Sequence, residues 1–195
     1  VFMPGETEKI VKVRVLADDI SNEFGEGMEL VISNPVNADL GMDVGIGLIT
    51  DSDPLPELSI SDAETVIEPT GDFPMVFLTF TVTLSQVSAA EVMVDFDTMT
   101  GMGGNPAFEV LDFEDTYVTL VFASGETEKQ ITVKVLPDDV SNEMIEDMKV
   151  VLTNPVNAGI ADDTGVGLIE DSDPIPEIII MDAETVIEPV LNSDM

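Results

Sequence analysis

The sequence predicts an all-β fold, organised as tandem two-sheet sandwich modules with a period of 120 residues, and two observations carry that reading. The first is an ungapped repeat. Gly5-Glu6-Thr7-Glu8-Lys9 returns at 125–129, Asn34-Pro35-Val36-Asn37-Ala38 at 154–158, Asp51-Ser52-Asp53-Pro54 at 171–174, and residues 62–69 return unchanged at 182–189. Residues 1–69 and 121–189 share 43 identities over 69 positions, too many for coincidence, so the chain reads as units in series. A unit of this size can enclose its own core, whereas solenoid repeats of about 20–45 residues bury theirs only by stacking. The second observation is an apolar alternation of period two, the mark of strands with one buried face.

The repeat places the boundaries. Residues 1–54 read as the C-terminal half of one module, 55–174 as a complete module, and 175–195 as the opening strand of the next. Within the complete module, short strands are expected at 58–60 and 65–68. Val76, Leu78, Phe80, Val82 and Leu84 then alternate with Phe77, Thr79, Thr81 and Thr83, a strand with one dry and one wet face. Val92, Val94 and Phe96 alternate with Met93 and Asp95, and Ile131, Val133 and Val135 with Thr132 and Lys134. Further strands are expected at 117–122, 148–152 and 165–169, with turns at Ser124-Gly125, Pro137-Asp138-Asp139 and Asn154-Pro155. Seven or eight antiparallel strands in one unit make a two-sheet sandwich the first expectation and an unclosed barrel the second. The incomplete modules would leave sheet edges open, so residues 1–54 are expected to be completed by neighbouring strands or to belong to a longer polymer.

Charge narrows the function. There are 40 Asp and Glu against 6 Lys and Arg, a formal net charge of -34, in a chain that is 44% hydrophobic. That apolar content argues against a disordered acidic tail. The charge repels nucleic acid and anionic membranes and attracts cations. No uncharged apolar run is long enough to insert in a membrane. Cysteine and histidine are both absent, which removes disulfides, zinc–thiolate sites and the usual base for a Ser or Cys nucleophile. Phosphate-loop and nucleophile-elbow motifs are missing as well, and the chain is not expected to be an enzyme.

The acidic residues gather at predicted strand ends and turns: Glu68, Asp112, Asp138-Asp139, Glu143, Glu146, Asp171 and Asp173, with Asp18-Asp19, Glu23, Glu26, Asp51 and Asp53 repeating the later groups. Lys9, Lys12, Arg14, Lys129, Lys134 and Lys149 are assigned to strands, away from these clusters. Six or more carboxylates meeting at one pole of a sandwich would raise one another's pKa unless a counter-charge arrived. A hard divalent cation supplies that charge, and calcium accepts the irregular oxygen shells that loops provide more readily than magnesium does. Asp95, Asp97, Asp162 and Asp163 read as ordinary solvent positions.

These landmarks resemble the Calx-beta domain. The resemblance rests on Val66-Ile67-Glu68, Asp112-Phe113, Phe122-Ala123-Ser124-Gly125-Glu126-Thr127, Asp138-Asp139 with Glu143 and Glu146, Leu152-Thr153-Asn154-Pro155-Val156-Asn157-Ala158, and Gly167-Leu168-Ile169 leading into Asp171-Ser172-Asp173. It implies a seven-stranded immunoglobulin-like sandwich with Ca2+ at one end. The implied ligands are Glu68, Asp112, Asp138, Asp139, Glu143, Glu146, Asp171, Asp173 and the Val140 carbonyl. In the first unit they are Asp18, Asp19, Glu23, Glu26, Asp51, Asp53 and the Ile20 carbonyl, and Glu188 is the first ligand of the third. Ser172 stands where strong calcium binders of the family tend to carry another Asp, so weak affinity is expected, about 10⁻⁴ to 10⁻³ M. The functional expectation is a calcium-rigidified structural repeat of an extracellular or cell-surface adhesin, fibre or matrix protein. Its partners would be calcium ions, neighbouring modules and other arrays in a filament or sheath. The alternative is a protein- or glycan-binding module, using Met93, Met99, Met102 and Phe108, or a spacer for a catalytic domain elsewhere.

Overall fold

The computed structural model describes residues 1–71, 73–141, 143–182 and 184–185. Eleven strands are present among them: β1 (Glu26–Val31), β2 (Val44–Ile49), β3 (Glu57–Ile60), β4 (Val66–Ile67), β5 (Val76–Leu84), β6 (Val92–Thr100), β7 (Tyr117–Phe122), β8 (Glu128–Val135), β9 (Glu146–Val156), β10 (Gly159–Asp162) and β11 (Thr164–Glu170). The period-two reading locates the strands of 55–174 except β10, because alternating burial is what generates that pattern and β10 is too short and too exposed to show it. On β5, Leu78, Phe80, Val82 and Leu84 are buried while Phe77, Thr79 and Thr83 are exposed.

From β3 onward the strands form two sheets, ordered β10-β3-β5-β8 and β4-β11-β9-β6-β7. Leu58, Leu78, Phe80 and Val133 of the first face Val92, Val94, Met148 and Val150 of the second, with Phe113 and Phe122 completing the core. Each fully buried Leu, Val or Phe contributes about 1.5–3 kcal/mol against exposure. At Gly167 on β11 a Cβ would lie 2.7 Å from Leu78 Cδ1 and 3.1 Å from Phe80 Cζ. Close approach of the sheets there requires glycine, and Gly47 is its counterpart in the first unit.

Two strands cross between the sheets. The segment 57–67 pairs with β5 as β3 and with β11 as β4, while 159–170 pairs with β3 as β10 and with β9 as β11. Where the crossing strands meet they run parallel, β10 with β3 and β11 with β4, which corrects the wholly antiparallel expectation. Counting each crossing strand once, nine segments make seven strands. The crossing also carries Glu68, one residue past β4, to the end of β11, where its N–H donates to the Glu170 carbonyl at 2.9 Å.

The first unit holds only the hairpin β1–β2. Its register, Glu26 opposite Ile49, repeats Glu146 opposite Ile169 of β9–β11. The assignment of Lys9, Lys12 and Arg14 to a strand is overturned: residues 8–15, counterparts of β8, lie in no strand and are exposed. β8 obtains its ladder from β5, whereas residues 8–15 pair with no strand among the described residues. The apolar side chains of Ile10, Val13 and Val15 are exposed accordingly.

Candidate metal centre

One pole of the sandwich collects the predicted carboxylates. Glu68 follows β4, Asp138 and Glu143 lie between β8 and β9, Glu146 opens β9, and Asp171 and Asp173 follow β11. Carboxylate oxygens of Glu68, Asp171 and Asp173 lie within 4.8 Å of one another, as do those of Glu68, Asp138 and Glu143. Glu68, Asp112, Asp138, Glu143, Glu146 and Asp171 line a cavity of about 10 Å³, closed below by Leu136 and Ile169. That volume suits one water-sized species.

Backbone donors hold the loops in place. Glu143 N–H donates to Asp171 Oδ2 at 3.0 Å and Asp173 N–H to Asp171 Oδ1 at 2.6 Å, so Asp171 ties both loops together. Asp138 N–H donates to Glu68 Oε1 at 2.6 Å, and Val140 N–H to Asp138 Oδ1 at 2.6 Å. Asp112 is carried in by a turn in which Phe108 N–H donates to its Oδ2 at 2.6 Å. Its neighbour Phe113 is fully buried and bridges to Val135, and Leu136 N–H donates to the Asp112 carbonyl. Asp139 and Val140 lie on the exposed outer side of the loop; Val140 lines the wider groove outside the cavity, while the charge of Asp139 still acts on Asp173.

The first unit repeats the arrangement through a hydrogen-bond pattern offset by 120 residues. Glu23 N–H donates to Asp51 Oδ2 at 3.0 Å, Asp53 N–H to Asp51 Oδ1 at 2.7 Å, and Ile20 N–H to Asp18 Oδ1 at 3.1 Å. Asp18, Glu23, Glu26, Asp51 and Asp53 line an open groove with Arg14, and Asp19 lies near enough to raise Asp53. Glu188 lies outside the described residues.

The electrostatics are those of a site built for positive charge. Desolvation pushes Glu146 up to about 7, helped by Asp112, Glu143, Asp138 and Glu68. Glu68, 7% exposed, is pushed up to about 6 by desolvation and by Asp138, Asp173 and Glu143, against the lowering hydrogen bond from Asp138 N–H. Burial likewise raises Asp112, Glu143 and Asp173. Among the described residues, neither salt bridge, Lys9–Glu6 or Lys129–Glu126, involves a site carboxylate. Asp173 Oδ2 and Ser172 Oγ are buried without a hydrogen-bond partner. An all-oxygen donor set with an unsatisfied buried carboxylate oxygen fits a hard divalent cation.

A pH dependence follows. Glu68 and Glu146 have folded-state pKa values above the usual 4.5, so their contribution to stability is full below that value and is lost as pH rises through about 6 to 7. With divalent cations removed, the melting temperature is expected to fall between pH 4.5 and 7.5. A flat or rising calorimetric profile over that window contradicts the assignment.

Two features escaped the sequence reading. Asp147 accepts Met102 N–H at 3.0 Å and Gly103 N–H at 3.1 and 3.0 Å, clamping the glycine-rich loop over the pole. A Cβ at Gly101 would collide with the Asp147 carbonyl oxygen. The counterpart of Asp147 is Gly27, so the repeat gave no signal. Asp95 is not an ordinary solvent position: it accepts from Tyr117, Thr119 and Asn154, and these bonds lower its pKa. Met93 and Met99 are separated along the outer face of β6 by Asp95 and Asp97, so they form no continuous apolar stripe.

Comparison with known proteins agrees with this architecture. The sequence pattern of the Calx-beta domain matches residues 1–53 and 59–182. No curated protein matches significantly. Among solved structures, CBD12 from CALX1.2 is similar at a TM-score of 0.51 and 22% identity, over 60% of this chain and 46% of that one. The apo-form Calx CBD1 domain is similar at 0.48 and 21% identity, over 60% of this chain and 99% of that one. The calcium binding domain CBD12 of CALX1.1 is similar at 0.46 and 22%, over 60% and 45%. With its two matched segments covering most of the sequence, the chain belongs to the Calx-beta domain family.

Proposed function

We propose that this chain is a calcium-binding structural repeat of an extracellular or cell-surface adhesin, fibre or matrix protein, in which the ion stiffens the junction between successive modules. The observation that carries the reading is the buried, unpartnered Asp173 Oδ2 grouped with Glu68 and Asp171, two of the six carboxylates that line the small cavity with Asp112, Asp138, Glu143 and Glu146. Glu68, Asp138, Glu143, Asp171 and Asp173 would hold the ion, with Asp112 and Glu146 at the inner edge and Asp139 and the Val140 carbonyl at the outer edge. In the first unit Asp18, Asp19, Glu23, Glu26, Asp51, Asp53 and the Ile20 carbonyl take those places. Calcium is favoured over magnesium by the number and looseness of the oxygens.

The weak affinity expected of this ligand set supports an extracellular setting. Sites in the range of about 10⁻⁴ to 10⁻³ M fill in an environment with millimolar calcium and stay empty at cytosolic levels. The junction is short: Asp171-Ser172-Asp173 leads directly into Pro174-Ile175-Pro176, and the prolines restrict the backbone beside the site. Association of arrays into a filament or sheath belongs to the same proposal, since carboxylates on adjacent rods repel until a cation intervenes.

Isothermal titration of the chain with calcium is expected to give saturable binding in that range and weaker binding of magnesium. At a hundredfold excess over Kd, bound calcium stabilises by about 2.7 kcal/mol, read as a rise in melting temperature. Absence of both heat and thermal shift rejects the proposal.

A further inference from the structure

The loop that carries Asp18, Asp19 and Glu23 has a second occupation in this chain. Its neutral tip, Ser21-Asn22, is packed against the far pole of the following module, at the turn between β5 and β6 and at Asn157. Ser21 N–H donates to the Val87 carbonyl at 3.0 Å, Ala89 N–H donates to the Ser21 carbonyl at 2.8 Å, and Ser21 Oγ donates to Val87 O at 3.1 Å. Asn22 Nδ2 donates to Ser88 Oγ and to the Asn157 carbonyl, both at 2.9 Å. Ser21 and Ser88 form a parallel β-bridge and are 0% and 2% exposed.

The receiving side is set by its own module. Ser88 O accepts Gly125 N–H at 3.0 Å, Ser88 Oγ donates to Ala90 O at 2.7 Å, and Asn157 Nδ2 donates to Glu91 O at 2.8 Å. The linker is fastened to the same pole: Gln86 Nε2 donates to Pro54 O at 2.6 Å, and Gly159 N–H to the carbonyl of the buried Pro56 at 2.8 Å.

We infer that Ser21-Asn22 is a docking latch, and that its partner is the Val87-Ser88-Ala89 turn with Asn157 of the next module in the array. Three arguments support it. Every group in the contact is uncharged, although the chain carries -34, and a neutral contact is the one that lets two acidic bodies approach without paired carboxylates across the gap. The latch is a left-handed tip: Asn22 has φ 61°, a conformation asparagine tolerates better than most residues, and Asn157 opposite it has φ 61° as well. The repeat supplies an internal comparison. Ser21 is fully buried and Ile20 half-buried, whereas Ser141 is half-buried and Val140 exposed at the pole with no docked module among the described residues. Sequence repeats the tip as Ser141-Asn142, so the same contact is expected at each junction.

This latch rests on the proposed calcium reading only for its regulation. Ser21-Asn22 lies between Asp19 and Glu23, and Glu23 N–H is tied to Asp51, so ordering of that loop by a cation would favour docking. Amide hydrogen exchange by NMR on the full chain tests the contact, because Ser21 N–H and Ala89 N–H each donate to a carbonyl of the opposite module. With calcium saturating, both amides are expected to exchange at least about tenfold more slowly than in unstructured chain. Asn22→Gly keeps the left-handed backbone but removes both side-chain bonds, and should accelerate both amides about fivefold or more while the β5–β8 ladder is unchanged.

A second readout uses the absence of native cysteine. Spin labels on Asn37→Cys and Gly104→Cys, one on each module, should give a narrow distance distribution that Asn22→Gly broadens. Coil-like exchange at Ser21 and Ala89 beside a protected ladder, or rates and distances unmoved by Asn22→Gly, overturns the latch even if calorimetry shows calcium binding. Protected amides and a narrow distribution without any calorimetric binding uphold the latch and overturn the calcium reading instead.

Discussion

Asp171→Asn will abolish the calcium-dependent rise in melting temperature of the complete module, an expected loss of about 2.7 kcal/mol at a hundredfold excess over the native Kd. Asp171 is central because it serves both loops: it accepts the N–H groups of Glu143 and Asp173 and faces Glu68 within ligand distance. The cation-free protein should change far less. Removing one negative charge from a cluster whose members raise one another's pKa relieves repulsion, which offsets the loss of one of the two backbone bonds, since the Asn amide nitrogen donates and cannot accept from Glu143 or Asp173 N–H. Differential scanning calorimetry with and without chelator separates the two effects. A variant that is weakened without calcium yet still responds fully to it would make Asp171 a structural tie rather than a ligand.

Phe113→Ala is expected to cost about 3–5 kcal/mol of stability and to weaken calcium binding at the same time. Phe113 is fully buried between the sheets, and the bridge to Val135 fixes the turn on which Asp112 enters the site. Emptying that volume frees the turn. Phe80→Ala removes a side chain of the same kind from the middle of β5, which does not line the carboxylate cavity, and should cost similar stability with unchanged affinity for calcium in whatever fraction remains folded. Urea unfolding gives the first quantity and isothermal titration below the transition gives the second. Equal affinity in the two variants would show that Asp112 is placed independently of Phe113.

Much of this was legible in the primary structure, for a local reason. Leu78-Thr79-Phe80-Thr81-Val82 announces a strand because neighbouring side chains on a strand meet different environments, and that contrast is written within a few residues. The 120-residue offset announces a duplicated fold, and the hydrogen bonds of Glu23 and Glu143 to Asp51 and Asp171 show the duplication extending to loop geometry. The clustering of Asp138, Asp139, Glu143, Glu146, Asp171 and Asp173 at turns was equally plain. Asp147 was not, since its partners Met102 and Gly103 are more than forty residues away and Gly27 replaces it in the other unit.

The amino-acid sequence by itself determined the all-β class, most strand positions of 55–174, the repeat, the acidic poles and the family. The tertiary structure decided the rest. It made strands 57–67 and 159–170 cross together between the sheets in parallel, which carries Glu68 to Asp171 and Asp173. It also decided which carboxylates are desolvated, as at Glu146, and it seated Ser21-Asn22 on Ser88 and Asn157. Alternation and duplication are properties of neighbouring or copied residues. Desolvation, charge coupling and docking depend on distances between residues remote along the chain, which exist only once the sheets have packed.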